Sequence, residues 1–250
     1  MNELVKKETI LPIPLADMDG DVKVGGKVSL RDMSVPYLSI LQGLSPQVQP
    51  AASRYMKEAR VSNLYLTVAE QVFEELLIVP CYFERVVNEW VPREKGGGLV
   101  ATHDPEGGLL SKARRDEQNP GKLILPNGNL AVDTMYQYLL ANVGSKGWVQ
   151  CVYPMKSTAI KHGRSWNSNI MTLRIPNSSK PAPRWLYQWK MTSSPEQKAD
   201  KIWYSPVFRQ AEIVDRDTYA TAREFAQIAS TGMLRRPMEE ERMSDEDSPI

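Results

Sequence analysis

Residues able to make or break bonds are few in this chain, and their spacing is poor for catalysis. The two histidines are His103 and His162. His103-Asp104-Pro105-Glu106-Gly107-Gly108 reads as a Gly/Pro-rich surface turn, whose Asp104 and Glu106 are the acids a metal-dependent nuclease could draw on. Glu74-Glu75 and Asp116-Glu117 are adjacent pairs, and side chains at neighbouring positions diverge rather than converge on one ion. Asp17-Met18-Asp19-Gly20-Asp21 has the start of a calcium loop, but Val28 stands where the bidentate acid is needed. Lys95-Gly96-Gly97-Gly98 is not followed by a helix start and makes no phosphate cradle. Cys81 and Cys151 lie seventy residues apart with no CxxC pair, so they read as small buried hydrophobes of a reducing compartment. These patterns imply no cofactor, no metal and a binding protein rather than an enzyme.

The chemistry that is concentrated here is recognition. Between Gly144 and Arg209 stand five of the six tryptophans, with eleven Lys or Arg and two acids, Glu196 and Asp200, a charge of +9 in 66 residues. The thirteen residues from Met238 carry −5, so the overall +1 hides two opposite fields. Rings interleaved with cations suit flat bases strung on a polyanion, which describes single-stranded nucleic acid. Lys156, Lys161, Arg164, Arg174 and Lys190 are the expected phosphate contacts, and Trp166, Tyr187, Trp203 and Tyr204 the expected aromatic ones. Trp166 stands out because Lys161, His162, Gly163, Arg164 and Ser165 surround it with cations and small polar groups. On an extended Arg184 to Thr192, period two puts Trp185, Tyr187, Trp189 and Met191 on one face and Arg184, Gln188 and Lys190 on the other. Such a ring-bearing face serves a hydrophobic core as readily as a stacking platform.

The elements that must position these groups are mostly strands. Eighteen prolines, fifteen glycines and many short runs of Val, Ile, Tyr and Trp favour strands and turns, and 42% apolar content supports a core. Leu76 to Phe83 reads as a buried strand leading to a hairpin near Gly96-Gly97-Gly98. Asn127-Gly128 marks a second hairpin, since both residues can take positive φ. Further strands fit Gly147 to Tyr153, Trp166 to Ile175, Arg184 to Thr192 and Ile202 to Val214, with Pro206 marking an edge or bulge. Asp217 to Thr231 reads as a helix with Tyr219, Ala222, Ala226 and Ala229 on one stripe, capped by an Asp and closed by Gly232. The resulting class is mainly β with a few helices, an OB-like Greek-key barrel over residues 31–234. A polar arm at residues 1–30 precedes it, and a disordered acidic tail at residues 235–250 follows.

Asp245-Glu246-Asp247-Ser248-Pro249-Ile250 resembles the C-terminal tip of single-stranded DNA-binding proteins from bacteria and phages. The resemblance implies that Asp245, Glu246 and Asp247 meet basic rims on replication or recombination proteins. It also implies that Pro249 fixes the turn of the tip and that Ile250 with its carboxylate fills a pocket, and that the tail competes with DNA for the basic groove. The tip departs from that family in ending on Ile rather than Phe. Val35 to Gln47, Val79 to Phe83, Glu89 to Arg93, the three glycines and Ser157 to Asn167 are also similar to a family of poorly characterised tailed-phage proteins. Together these imply a phage protein that coats single-stranded DNA in the cytoplasm of a bacterial host, with homo-oligomerisation open. No apolar stretch is long enough to suggest a membrane partner. The rival expectations are the nuclease above and a virion or assembly protein whose rings are all core.

Overall fold

The computed structural model describes residues 35–67, 69–119, 121–232 and 234. In chain order its strands and helices begin with β1 (Leu38–Ile40), β2 (Leu64–Leu66), β3 (Gln71–Phe73), β4 (Leu76–Trp90) and β5 (Leu99–His103). Then come α1 (Leu109–Lys112), β6 (Arg114–Arg115), β7 (Leu123–Ile124), β8 (Leu130–Asn142) and β9 (Trp148–Lys156). The chain continues through α2 (Ala159–Thr172), β10 (Tyr187–Lys198), β11 (Lys201–Ile213) and α3 (Arg216–Ser230). The expected N-terminal arm and acidic tail lie outside the described residues.

The frame is one antiparallel sheet in the order β11-β10-β4-β8-β7-β6, with β5 beside the distal half of β4 and β9 beside β8. β1-β2-β3 form a separate small sheet, linked to β9 by a bridge between Tyr37 and Val152. Among the described residues the ends of the large sheet, β11 and β6, do not pair, so the expected closed OB-like barrel is corrected to an open sheet. The chain is mainly β with helices, as its composition implies.

Both faces of the sheet are covered, which is why β4 and β8 read as nearly unbroken apolar runs rather than alternating ones. Leu76, Ile78, Met135, Leu139 and Met155 pack on one face with Trp166 and Ile170 of α2. Val79, Tyr136, Tyr138, Leu140 and Val152 pack on the other with Ala222, Phe225, Ala226 and Ala229 of α3. Pro80 has no N–H to give the ladder, and the register shifts between Pro80 and Tyr82, leaving Cys81 as the extra residue. Cys81 and Cys151 are free and buried, and burial pushes the Cys81 thiol up to about 12.

Two expectations about local structure change. Most of the strand placed at Trp166 to Ile175, as far as Thr172, is instead part of α2, because Ile160, Gly163, Trp166 and Ile170 recur at helical spacing on one buried stripe. Gly163 lets that helix approach the sheet: a Cβ there would stand 2.9 Å from Met155 Sδ and 3.0 Å from Met135 Sδ. Trp185 and Trp189 do not share a face. β10 begins at Tyr187 and its pairing shifts before Trp189, so Trp185 packs against Tyr219 of α3 while Trp189 enters the α2 side of the core. The Asn127-Gly128 hairpin forms, with the positive φ (84°) taken by Gly128 and its N–H donating to Leu125 O. The last helix starts one residue earlier than expected, with Asp215 accepting from Thr218 N at 2.8 Å.

Candidate nucleic-acid interface

Two hairpin ends and one helix start surround a groove of about 1160 Å³. One wall is the β4–β5 turn, where Trp90, Arg93 and Lys95 lead into Gly96, Gly97 and Gly98. All three glycines take positive φ (104°, 69° and 106°), a conformation that makes the tight reversal and that other residues resist. The β10–β11 turn lines the same groove with Lys198, Lys201, Trp203 and Tyr204, and Ala199 there takes φ 51°. Val132 and Asp133 of β8, Tyr153 and Pro154 of β9 and Ser157–Ile160 at the start of α2 line it as well. Arg93, Lys95, Lys122, Lys156, Lys198 and Lys201 face four lining carboxylates, Glu94, Asp116, Asp133 and Asp200. Asp133 is already neutralised by Arg85, whose Nε and Nη2 donate to its two oxygens at 2.9 and 2.6 Å. Five rings (Tyr37, Trp90, Tyr153, Trp203 and Tyr204) line the same space as these six cations and four carboxylates.

The structure brings some of the expected contact residues together and separates others. Lys156, Trp203 and Tyr204 line the groove. Lys161 sits just outside it, with Nζ donating to Glu196 Oε2 at 2.7 Å, while His162 Nε2 meets Glu196 Oε1 at 2.7 Å. This clasp fixes the hairpin to α2 and holds the Glu196 carboxyl below its ordinary range against the opposing cost of burial. Arg164 is exposed on α2 and does not line the groove. Arg174 turns back on the C-terminal end of α2, donating from Nη1 to the carbonyls of Met171, Thr172 and Leu173, where a cation complements the helix dipole. Tyr187 donates its hydroxyl to Arg174 O at 3.0 Å, and Lys190 pairs with Glu75 at 2.8 Å. Tyr187 lies eleven residues from Lys198 along β10, roughly 36 Å in an extended strand, so these last three belong to the opposite end of the hairpin. The tail residues Asp245, Glu246, Asp247, Pro249 and Ile250 lie outside the described residues.

Trp166 needs a correction as a stacking residue. It is 2% exposed, lies flat on Phe208 and meets Trp189 edge to face, so no ring face is open to a base. Its polar neighbours occupy the outer side of a helix whose inner stripe carries the ring. Arg184, expected on an outward basic face, is instead partly buried against the sheet: its Nη2 donates to Gln137 Oε1 and Asn167 Oδ1, both at 2.6 Å, with the Phe83 and Trp166 rings beside it. Burial pulls its guanidinium down to about 10.

Several groove residues come from a part of the chain that the charge pattern passed over. Arg93, Lys95, Lys122, Tyr37 and Trp90 all precede residue 144; the pairing of a ring with basic turn residues in Trp90-Val91-Pro92-Arg93-Glu94-Lys95 was their one sequence signal. His103 is not in a surface turn. It ends β5, and its Nε2 meets Glu89 Oε2 at 2.8 Å. Asn129 and Asn127 donate to Glu89 Oε1 at 2.6 and 2.9 Å, and these bonds hold the Glu89 carboxyl below its usual value despite burial. The network ties the β4–β5 hairpin to the β7–β8 turn behind the groove wall. Asp104 closes its own turn by accepting from Glu106 N at 2.8 Å. Among the described residues no three or more His, Cys, Asp or Glu side chains cluster as metal ligands.

Fold and site together define a mainly β protein with an open antiparallel sheet, helices on both faces and a basic, ring-lined groove. The chain belongs to the Pam3 phage gp34-like protein family, whose model matches residues 5–235. No curated protein and no solved structure matches it. No described helix is long and apolar enough to cross a membrane.

Proposed function

We propose that this protein binds single-stranded DNA in the groove between the β4–β5 and β10–β11 turns, coating it during phage replication or recombination in the host cytoplasm. The observation that carries this reading is that Arg93, Lys95, Lys198 and Lys201 line one groove together with Trp203 and Tyr204. Cations on two lips track a phosphate backbone, and rings offer stacking worth about 1 to 3 kcal/mol per base to any unpaired sequence. Duplex DNA hides its base faces and gains only the charge term. The mode is that of an OB-type module, a β surface rimmed by hairpin loops, carried here on an open sheet. The acidic tail docks replication or recombination proteins and competes with DNA for the cations, and no bond is made or broken. Fluorescence titration with oligo(dT) and with a duplex of equal length at two salt concentrations tests the reading. Preference for oligo(dT), with affinity falling as salt rises, supports it; equal binding of both, or none, removes it.

A virion or assembly protein is a second reading, favoured by Trp166 and Trp189 being interior and by Arg174 and Lys190 being used in local contacts far from the groove. Recovery of the protein from purified particles by mass spectrometry would favour it over the first.

A further inference from the structure

We infer that Tyr153 of β9 is a base-contacting residue of the groove, its hydroxyl taking the edge of one unpaired nucleobase. The ligand rests on the single-strand reading, whereas the place does not. The backbone of Tyr153 lies inside the sheet, paired with Gln137 of β8 and next to the bridge between Tyr37 and Val152, so what it offers the groove is its side chain. The residue is 4% exposed and packs in the core cluster that holds Ile40 and Ile160. Its hydroxyl meets no hydrogen-bond partner among the described residues, and burial alone pushes it above its ordinary range. The hydroxyl is nevertheless not sealed in. The partnerless polar atoms cut off from solvent include Ser205 Oγ and Trp203 Nε1 but not the oxygen of Tyr153.

What surrounds this hydroxyl decides the ligand. Ile40, Ile160 and Tyr204 line the groove and belong to, or pack against, the same apolar cluster as Tyr153. A phosphate set against them would lose its hydration for little return, because a charge in apolar surroundings is costly without a paired countercharge. A nucleobase is neutral and flat, with apolar faces and its polar atoms on the edge, and an apolar stretch with a placed hydroxyl accommodates that pattern. The hydroxyl can donate to a base carbonyl or ring nitrogen and can accept from an exocyclic amine. The cations of the two turns, Arg93, Lys95, Lys198 and Lys201, remain for the phosphates. A buried hydroxyl without a partner destabilises the free protein, and a bound base removes that cost.

Tyr153→Phe in the full chain tests this, because it removes the hydroxyl and keeps the ring. The variant should bind oligo(dT) about three- to tenfold more weakly, and an abasic strand of equal length within about twofold of the wild type. It should melt at the same temperature or higher, whereas loss of a hydroxyl that held the core together would lower the melting temperature. In the wild type, thymidine monophosphate should shift the NMR signals of the Tyr153 ring saturably. Unchanged oligo(dT) affinity in the variant, a lowered melting temperature, an equal loss on the abasic strand, or no ring shifts overturns the assignment of Tyr153 and leaves the single-strand reading standing. Ring shifts with thymidine monophosphate but no binding of oligo(dT) overturn that reading and leave the base site.

Discussion

Trp166 lies face to face on Phe208, with ring centroids 3.9 Å apart and planes within 4° of each other. The pair joins α2 to the inner face of β11, so this tryptophan works as a rivet of the core. Trp166→Ala should cost about 3 to 5 kcal/mol of stability, as large-to-small changes of buried rings do. Urea unfolding checks the loss, and the folded fraction should bind oligo(dT) within twofold of the wild type. Unchanged stability with lost binding would return Trp166 to the DNA contact list.

Trp203 and its neighbours carry the opposite expectation. Trp203→Ala should weaken oligo(dT) binding by about 1 to 3 kcal/mol, roughly 5- to 150-fold, while leaving duplex binding nearly unchanged. Changing Lys198 and Lys201 to Gln should instead lower the salt slope by about 0.7 for each contact removed. Titrations at several salt concentrations separate the two effects.

Much of the frame was legible in the chain because it is local. The Leu76 to Phe83 run, the Asn127-Gly128 turn and the α3 stripe each announce themselves within a dozen residues. α2 was hidden by Gly163 and a run of Ser and Asn, all weak helix formers, whose placement is decided by tertiary packing against Met135 and Met155. The groove was only half legible for a different reason. Its basic turns, Arg93-Lys95 and Lys198-Lys201, are about a hundred residues apart and follow opposite ends of β4, so they share a groove only through the tertiary fold, in which Glu196 of the β10–β11 hairpin is held by Lys161 and His162 of α2. Charge counted along a window cannot see such a meeting, and it also counted Arg174, Arg184 and Lys190, which the fold spends on a helix end, a buried polar cluster and a surface ion pair.

Glu89 should make stability depend on acid. Amides of Asn129 and Asn127, then His103, hold its folded carboxyl below the ordinary value of 4.5, so its contribution is complete at neutral pH. That contribution is lost as pH falls from about 4.5 through the lower folded value. Glu89→Gln should lower stability at pH 7 and flatten the decline below pH 4.5, as followed by thermal unfolding across that range. An unaltered acid limb in the variant would assign the acid sensitivity to other carboxylates.

Removing residues 238–250 takes away a net charge of −5. The truncated protein should bind oligo(dT) more tightly at low salt, with the difference shrinking as salt screens the tail, and should lose recruitment of replication or recombination proteins. Affinities of full and truncated protein at two ionic strengths check the first, and pull-down from infected-cell extract checks the second. No change in either would remove the tail from the mechanism.

The most direct measurement is ultraviolet cross-linking of the protein to oligo(dT), followed by mass spectrometry of the adducted peptides. If the groove holds the strand, adducts fall on peptides containing Trp90 to Gly98 and Lys198 to Tyr204, and unlabelled single strands compete them away far better than duplex. Adducts confined to the distant end of the hairpin around Arg174, Tyr187 and Lys190, or no adduct at all, would contradict single-strand binding in this groove.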